Sequence, residues 1–319
     1  MKTLCHTNSP LKLYFSERSL HERQCRFYAV PQVFCDLCAL FVSFAVKIKH
    51  DFNGESVSEM KTLPEHKADR AGEELLAARG LSKTYRGASV PALRCFDISV
   101  KSGEIFGLLG PNGAGKTTAI SLMSSLAVPD SGTVSVCGLD MSRDPCMVRK
   151  LIGLVPQDIA LYPTLSAREN LMYFGRLHGF SGQHLRESVQ ESLEMTGLTD
   201  RADARICTCS GGMKRRANLA AGILHRPKLI FLDEPTVGID AQSRSMILEK
   251  LLLLREKGTG MIYTTHYMEE AEQICTRVAI MDEGNIITMG KPQELILRHP
   301  ECRSLGEVFL ALTGKQLRD

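Results

Sequence analysis

The chain has 319 residues, of which 44% are hydrophobic and 24% charged, and these values are ordinary for a globular protein. Its formal net charge of +3 is too small to indicate nucleic-acid binding by itself. The 11 cysteines are scattered rather than spaced as a disulfide framework, which favours reduced thiols in a cytoplasmic protein.

The first segment, residues 1–59, has no pattern typical of a folded domain. Its longest apolar run extends from Val30 to Val46 and is interrupted by Pro31 and Asp36. The run is shorter than the ~20 residues that cross a bilayer as a helix. A weak membrane anchor or an uncleaved signal is therefore one open interpretation of this segment, and not the favoured one.

Two other interpretations of the N-terminal segment stay open. Cys35 and Cys38 form a Cys-x-x-Cys pair, but a zinc site needs four well-spaced ligands and the flanking residues are apolar. Met60 opens a charged linker, residues 60–75, that leads directly into domain sequence. We favour translation from Met60, which leaves the preceding residues unassigned.

A domain pattern begins near residue 76. The stretches at 75–85 and 92–103 predict paired strands with a turn at 86–89, and 103–110 predicts a short buried strand. Later apolar stretches predict further strands, at 228–234, 260–266 and 277–284. Strands that alternate with helical stretches imply an α/β fold with a mainly parallel sheet covered on both faces. No segment from 60 to 319 is long and apolar enough to cross a membrane.

The first chemical motif is "GPNGAGKTT", which fits the phosphate-binding pattern G-x-x-x-x-G-K-[ST] between a predicted strand and a predicted helix. Its glycines allow backbone N–H groups to turn toward phosphate oxygens, and the helix directs its positive end at the same anion. Lys116 is expected to reach the β- and γ-phosphates, and the Thr117 hydroxyl to bind Mg²⁺. The candidate nucleotide-binding residues here are Gly110, Pro111, Asn112, Gly113, Ala114, Gly115, Lys116, Thr117 and Thr118.

The second motif, "LIFLDEPT", places two adjacent carboxylates at the C-terminal end of a buried strand, where open parallel sheets bind ligands. Neighbouring residues of a strand point in opposite directions, which predicts different roles for Asp233 and Glu234. We expect Asp233 to hold Mg²⁺ through water. Glu234 is expected to polarise the attacking water as a general base.

At this point the chain resembles the ATP-binding subunit of an ABC transporter, and the resemblance extends over residues 76–314. Tyr85 matches the aromatic residue that stacks on adenine. Gln157 matches the glutamine that meets Mg²⁺ and the attacking water and reports to the membrane partner. His266 matches the histidine that senses the γ-phosphate. With Lys116 and Glu234, the last two are the candidate catalytic residues, and the candidate metal ligands are Thr117, Gln157 and Asp233.

The resemblance also accounts for a second glycine motif, "SGGMKRR". Ser210, Gly211 and Gly212 match the ABC signature, which closes on the γ-phosphate of ATP held by another subunit. Asp240 matches the aspartate that contacts the opposing subunit. By itself the motif is a helix start with Ser210 as N-cap. The basic residues 214–216 lie in the first turn, where the helix dipole disfavours cations, and we expect them to face an arriving anion.

The family implies a P-loop NTPase core with a mainly parallel sheet, an antiparallel β subdomain and an α-helical subdomain. We assign an ATPase domain to 76–302, its helical subdomain to about 158–215 and a tail helix to 303–319. ATP and Mg²⁺ are the implied cofactors. The implied partners are a second ATPase subunit, in a dimer that buries two ATP molecules, and a separate integral-membrane permease. The implied place is the inner face of the cell membrane.

Local sequence narrows the resemblance to type-2 ABC exporters, including the daunorubicin-resistance-like branch, through "SGGMKRR" and the tail 304–314. Such proteins export drugs, ions, lipids or polysaccharides. An importer ATPase is the nearest alternative. Soluble ABC proteins acting on ribosomes or DNA are disfavoured, because the chain has one P-loop, one signature and no sustained heptads between them. The chain departs from the family at Cys209, where a large apolar residue usually precedes the signature, and the role of Cys207 and Cys209 stays open.

Overall fold

The computed structural model describes residues 72–314. The apolar run from Val30 to Val46, the Cys35–Cys38 pair and the proposed start at Met60 lie outside the described residues. The fold below is therefore that of the predicted ATPase domain and most of its tail.

One sheet is antiparallel and has four strands in the order β2-β1-β4-β5. Its strands are β1 (Glu74–Lys83), β2 (Leu93–Lys101), β4 (Ser131–Val136) and β5 (Leu139–Asp140). The pairing of β1 with β2 confirms the strand pair predicted from the sequence.

The second sheet has six strands in the order β10-β9-β3-β8-β7-β6. Its strands are β3 (Ile105–Leu109), β6 (Ile152–Val155), β7 (Leu229–Asp233), β8 (Gly260–Thr265), β9 (Arg277–Asp282) and β10 (Asn285–Gly290). The pairs from β9 to β6 are parallel, and β10 is an antiparallel edge strand. Every residue of β3, β6, β7 and β8 is buried, which explains why these strands are continuous apolar runs.

The helices are α1 (Lys116–Met123), α2 (Pro145–Leu151), α3 (Ala167–Leu177), α4 (Gly182–Met195), α5 (Gly211–Ile223), α6 (Ala241–Glu256), α7 (Met268–Ile274), α8 (Pro292–Arg298) and α9 (Leu305–Thr313). The start of α3 is a capping box, in which Ser166 and Glu169 satisfy each other's backbone N–H groups. Between residues 72 and 314, no helix has both the length and the apolar character that a membrane crossing needs.

Three hydrophobic clusters hold these elements together. One lies between the two sheets and includes Phe96, Phe106 and Phe231. A second covers the other face of the parallel sheet, beneath α6, α7 and α9, and includes Phe309. The third joins α3, α4 and α5 around Phe174. The helical cluster is thus a separate packing unit, attached to the sheet through α5.

The parallel register brings three chain segments to one edge of the sheet. In the pairing of β3 with β8, Leu109 lies opposite Thr265, and in that of β7 with β8, Asp233 lies opposite Thr264. The P-loop follows β3, Glu234 follows β7 and His266 follows β8. The fold therefore assembles residues that are distant in sequence at the carboxyl end of the sheet.

Two stacked histidines lie where the helical cluster meets the sheet. The rings of His178, after α3, and His225, after α5, have centroids 4.1 Å apart and planes 12° apart. His225 Nε2 lies 2.9 Å from the carbonyl oxygen of Ile152, at the start of β6. Burial lowers the pKa of His225 to about 4. Burial, and then the charge of His225, hold the pKa of His178 well below its ordinary value.

This pair predicts acid destabilisation above the range in which carboxylates titrate. Histidine in the unfolded chain has a pKa of about 6.5, so between that pH and about 4 the unfolded state binds protons that the folded state does not bind. The contribution of the neutral histidines to the free energy of unfolding is therefore fully present above a pH of about 6.5. It is lost as the pH drops toward about 4, by roughly 2–3 kcal/mol for His225. Urea unfolding across this range measures the loss. His225→Gln, which retains a donor for Ile152, should reduce the slope, whereas exposed His184→Gln should not; equal slopes in both variants would refute the assignment.

Candidate functional site

The P-loop presents a buried cation. Lys116 is 6% exposed, and its Nζ donates to the carbonyl oxygens of Gly110 at 2.6 Å and Pro111 at 3.1 Å. Burial lowers the pKa of Lys116, while Glu234 and Asp233 oppose that shift. An anion that entered the loop would offer this ammonium group a stronger acceptor than the two carbonyls.

Gly115 sets the geometry where the loop becomes α1. Its φ is 100°, a left-handed conformation that side chains rarely adopt. A Cβ added there would lie 2.5 Å from the carbonyl oxygen of Ala92, just before β2. The P-loop glycine is therefore required both by its own turn and by the antiparallel sheet packed against it.

Asp233 and Thr117 form the candidate metal site. Asp233 is 7% exposed at the end of β7, and its Oδ1 accepts a hydrogen bond from Thr264 Oγ1 at 2.7 Å. Burial raises the pKa of Asp233, and hydrogen bonds from the Thr264 and Thr117 side chains oppose this rise. Thr117 is exposed, so its hydroxyl and the carboxylate together offer hard oxygen ligands to an arriving cation. These residues fit Mg²⁺.

Glu234 is the centre of the site. Its side chain is 9% exposed, and His266 Nδ1 lies 3.2 Å from Oε2. Gln157 Nε2 donates to Oε2 at 3.4 Å, and Lys116 Nζ lies 3.9 Å from Oε1. The backbone N–H of Glu234 donates to the Thr264 hydroxyl at 2.9 Å. Three of the four candidate catalytic residues thus surround the fourth.

The reason given above for the separate directions of Asp233 and Glu234 was wrong. Strand β7 ends at Asp233, so strand alternation does not extend to Glu234. Glu234 has a φ of 46°, which is uncommon for a residue with a Cβ. The backbone of Glu234 is therefore left-handed and is held there by the hydrogen bond to Thr264. Residues in such conformations occur frequently at active sites, where surrounding contacts compensate the strain.

A buried carboxylate next to the site was not predicted from the sequence. Glu270 Oε2 accepts hydrogen bonds from Tyr263 at 2.6 Å, Thr236 at 2.9 Å and Thr265 at 3.2 Å. Arg244 Nε lies 3.2 Å from Oε1. The network joins the end of β8, the segment after Glu234 and the starts of α6 and α7. Its signal in the sequence is the position of Glu270 four residues before a buried isoleucine, on the apolar face of α7.

Ser210 is the N-cap of α5, as the sequence predicts. Its hydroxyl accepts from the backbone N–H of Met213 at 3.3 Å, and the residue is exposed. Gly211 is also exposed, and a Cβ there would meet its nearest atom, the Gly238 carbonyl oxygen, at 3.6 Å. Both residues therefore present the start of α5 to solvent.

Gly212 and Asp240 have roles inside the chain. A Cβ on Gly212 would lie 2.0 Å from Ser243 Oγ, so this glycine is needed for α5 to pack on α6. Asp240 caps α6, accepting from the backbone N–H of Ser243 at 2.9 Å and from its hydroxyl at 2.8 Å. These bonds lower the pKa of Asp240. Contact of either residue with a second subunit stays a prediction.

The expectation that the basic residues of α5 face an incoming anion was wrong for two of them. Arg215 donates to the backbone carbonyls of Gln157 and Val237. Arg216 donates to two carbonyls after α4, those of Thr196 and Gly197. Both guanidinium groups are therefore committed to the chain itself, which offsets the unfavourable helix dipole.

Three other residues singled out in the sequence, Tyr85, Cys207 and Cys209, are exposed or partly exposed. Tyr85 follows β1 and is 46% exposed, so its ring is open to stacking. Cys207 and Cys209 are free thiols, and Cys209 Sγ donates to the Arg205 carbonyl at 3.4 Å. Among residues 72–314, no group of three or more histidine, cysteine or acidic side chains is arranged to hold a metal ion.

The sequence is similar to known transport ATPases. The profile of the family described as "ABC transporter" matches residues 93–237. The linearmycin resistance ATP-binding protein of Bacillus subtilis (strain 168) is 47% identical over 224 residues, which cover 70% of this chain and 71% of that protein. The Nod factor export ATP-binding protein I of Paraburkholderia xenovorans (strain LB400) is 44% identical over 210 residues, which cover 66% of this chain and 69% of that protein.

Solved structures agree with the sequence relatives. An ATP-binding subunit of an ABC transporter matches with a TM-score of 0.68 and 28% identity, over 75% of this chain and 99% of that chain. A dimeric ATP-binding cassette in a post-hydrolysis state, bound to ADP and Pi, matches with a TM-score of 0.62 and 27% identity, over 68% of this chain and 98% of that chain.

The two signature glycines should respond differently to alanine. Gly212→Ala overpacks the contact with Ser243 and is expected to lower the free energy of unfolding by about 1–3 kcal/mol. Gly211→Ala meets no such contact and should change it by less than about 1 kcal/mol. Urea unfolding of both variants compares them directly. Equal stability losses would contradict the packing described for the start of α5.

Proposed function

The chain belongs to the ABC transporter family, as an ATP-binding subunit that hydrolyses ATP, and we propose that the convergence on Glu234 is its hydrolytic site. In this proposal ATP-driven closure of a dimer and subsequent hydrolysis power a separate membrane permease. One observation carries the assignment: the Glu234 carboxylate lies within 4 Å of polar side-chain atoms from three other segments, which bear Lys116, Gln157 and His266.

Nucleotide binding would use the P-loop, residues 110–118, and Tyr85. The backbone N–H groups of the loop and the N-terminus of α1 surround the β- and γ-phosphates, and Lys116 exchanges its carbonyl partners for phosphate oxygens. Tyr85 is exposed and free to stack on the adenine ring. Binding would therefore draw on groups that the fold already holds in place.

Hydrolysis would use Glu234 as the general base. Its carboxylate accepts a proton from the attacking water, while Gln157 and His266 orient the carboxylate and contact the water and the γ-phosphate. Lys116 and the helix N-terminus stabilise the charge on the transferred phosphoryl group. Most of the rate enhancement in such a site comes from positioning and electrostatics.

Mg²⁺ is proposed as the second cofactor, because its oxygen ligands are already assembled. Thr117 and Asp233 would hold the ion, the latter through water, and Gln157 would complete the protein's contribution. When bound, the ion neutralises charge on the phosphate oxygens.

A second copy of the chain would complete the site. Ser210 and Gly211 are exposed at the positive end of α5, which is suited to a phosphate that comes from outside the chain. The dimeric cassette with ADP and Pi is a relative in which two such subunits associate. We therefore assign one P-loop and the opposing signature, with Gly212 and Asp240 beside it, to each of two sites in a two-fold dimer.

The partner in the membrane would be an export permease. Both sequence relatives described above act in resistance or export, according to their names. In the exporter class that the sequence resembles, the permease determines most of the choice among drugs, ions, lipids and polysaccharides. Residues 158–177, which follow Gln157 into the helical cluster, would contact the permease at the inner face of the membrane. An importer permease is the alternative, and co-purification with the neighbouring gene product separates the two.

Replacing the proposed base should separate ATP binding from turnover. Glu234→Gln removes the proton acceptor and retains the shape, so kcat should fall at least about 100-fold while the Kd for ATP changes less than about threefold. Steady-state phosphate release and equilibrium binding measure the two quantities. Glu269→Gln, at an exposed acid three residues after His266, is the matched control and should retain wild-type kcat. Undiminished turnover in Glu234→Gln would refute the assignment.

The proposed metal site predicts a specific change in magnesium dependence. Asp233→Asn should raise the Mg²⁺ concentration for half-maximal ATPase activity by about tenfold or more, because a carboxylate in the ion's surroundings is lost. Its Kd for ATP measured in EDTA should match that of the wild type. Exposed Asp200→Asn serves as the control. If the Mg²⁺ requirement of Asp233→Asn equals that of Asp200→Asn, Asp233 does not hold the metal.

A further inference from the structure

Two side chains of helix α5, those of Arg215 and Asn218, hydrogen-bond to the loop that carries Gln157. Arg215 Nη1 donates to the carbonyl oxygen of Gln157, and Arg215 Nε donates to that of Val237 at 3.2 Å. Val237 belongs to the segment between Glu234 and Asp240. A single guanidinium group thus joins the signature helix to two segments that border the hydrolytic site.

Asn218, three residues after Arg215 and on the same face of α5, hydrogen-bonds to the same loop. It is 1% exposed, and its Oδ1 accepts from the backbone N–H of Ala160 at 3.1 Å. Its Nδ2 donates to the carbonyls of Pro156 at 3.1 Å and Asp158 at 3.4 Å. We call Arg215 and Asn218 together the clamp.

All five hydrogen bonds of the clamp end on backbone atoms. They therefore fix the path of the Gln157 loop and leave the Gln157 side chain free to contact Glu234. Burial lowers the pKa of Arg215, and the charges of Asp158 and Glu234 oppose that shift. Those acids therefore favour a charged guanidinium between the two segments.

The same helix begins at Ser210, the proposed contact with the second subunit's ATP. Because close-packed interiors are hardly compressible, we expect α5 to move as one body. A displacement of Ser210 would then carry Arg215 and Asn218 with it. The third anchor, Arg216, bonds only to carbonyls at the end of α4 and so keeps the helix attached to its own cluster.

We propose that Arg215 and Asn218 are positioning residues that couple the signature helix to Gln157 and to the segment after Glu234. Closure of α5 on a phosphate of the opposing subunit then sets Gln157 against Glu234, so hydrolysis waits for a complete dimer. The inference rests on the proposed function, because the clamp residues lie outside the site and would act on the ATP hydrolysis proposed there.

Three variants test the clamp in the full-length chain. Asn218→Ala removes all three of its bonds to the loop. Arg215→Lys keeps the charge but loses the fork that reaches two carbonyls. Arg216→Lys is the matched control, since it loses the same kind of bonds from the adjacent residue to a different target. For each variant, kcat, KM for ATP and the midpoint of thermal unfolding are measured.

The clamp predicts that kcat falls about tenfold or more in Asn218→Ala and Arg215→Lys, with KM within about twofold of wild type. Arg216→Lys should lose stability to a similar degree while keeping kcat within about twofold. In a Gln157→Ala background, adding Asn218→Ala should lower kcat by less than about twofold, because the clamp acts through that glutamine. If Asn218→Ala does not fold, Arg215→Lys, at a less buried residue, gives the same comparison.

Two results overturn the proposal. If the clamp variants lose no more kcat than Arg216→Lys, or if their losses multiply fully with that of Gln157→Ala, the residues are structural only. Glu234→Gln in the same assay separates the two levels of the account. Loss of its turnover together with a null effect of the clamp variants refutes the clamp alone, whereas retained turnover in Glu234→Gln refutes the proposed function and the clamp with it.

Discussion

A buried carboxylate has to be compensated, and the site depends on how this chain compensates that of Glu234. An isolated charge in a protein interior costs several kcal/mol, so its position is stable only where cations and donors surround it. Lys116 at 3.9 Å, His266 at 3.2 Å and Gln157 at 3.4 Å meet that need from separate segments. The parallel register of β3, β7 and β8 delivers two of these segments to the carboxylate, and α5 holds the third.

This constraint explains why the site is spread over the whole domain. The Lys116 ammonium and the Glu234 carboxylate compensate each other, and in the proposed reaction phosphate and water would become their new partners. Glu270 is a second buried carboxylate with a cationic partner, since the partly exposed Arg244 lies 3.2 Å from it and joins the starts of α6 and α7. Displacing any one segment therefore leaves unpaired charge in the interior, which favours a few discrete arrangements over continuous deformation.

Local patterns allowed much of this to be predicted from the sequence. The P-loop motif, the buried strands and the N-cap at Ser210 each depend on a few adjacent residues. The left-handed backbone of Glu234, the internal bonds of Arg215 and Arg216 and the burial of Glu270 depend on partners 20 or more residues away, or on packing between elements. Contacts between helices are the part that local sequence does not predict. Gly212 packs against Ser243 of α6, and nothing in the sequence near either residue indicates that pairing.

The central claim is that ATP joins two copies of this chain through the signature of each. The most direct measurement is the molar mass of Glu234→Gln by light scattering, with ATP and Mg²⁺, with ADP, and without nucleotide. The account predicts twice the chain mass with ATP and Mg²⁺, and the mass of a single chain with ADP or without nucleotide. When Ser210→Arg is added, the mass with ATP and Mg²⁺ should be that of a single chain, although ATP still binds. A dimer that forms equally with ADP, or one that survives Ser210→Arg, would contradict it.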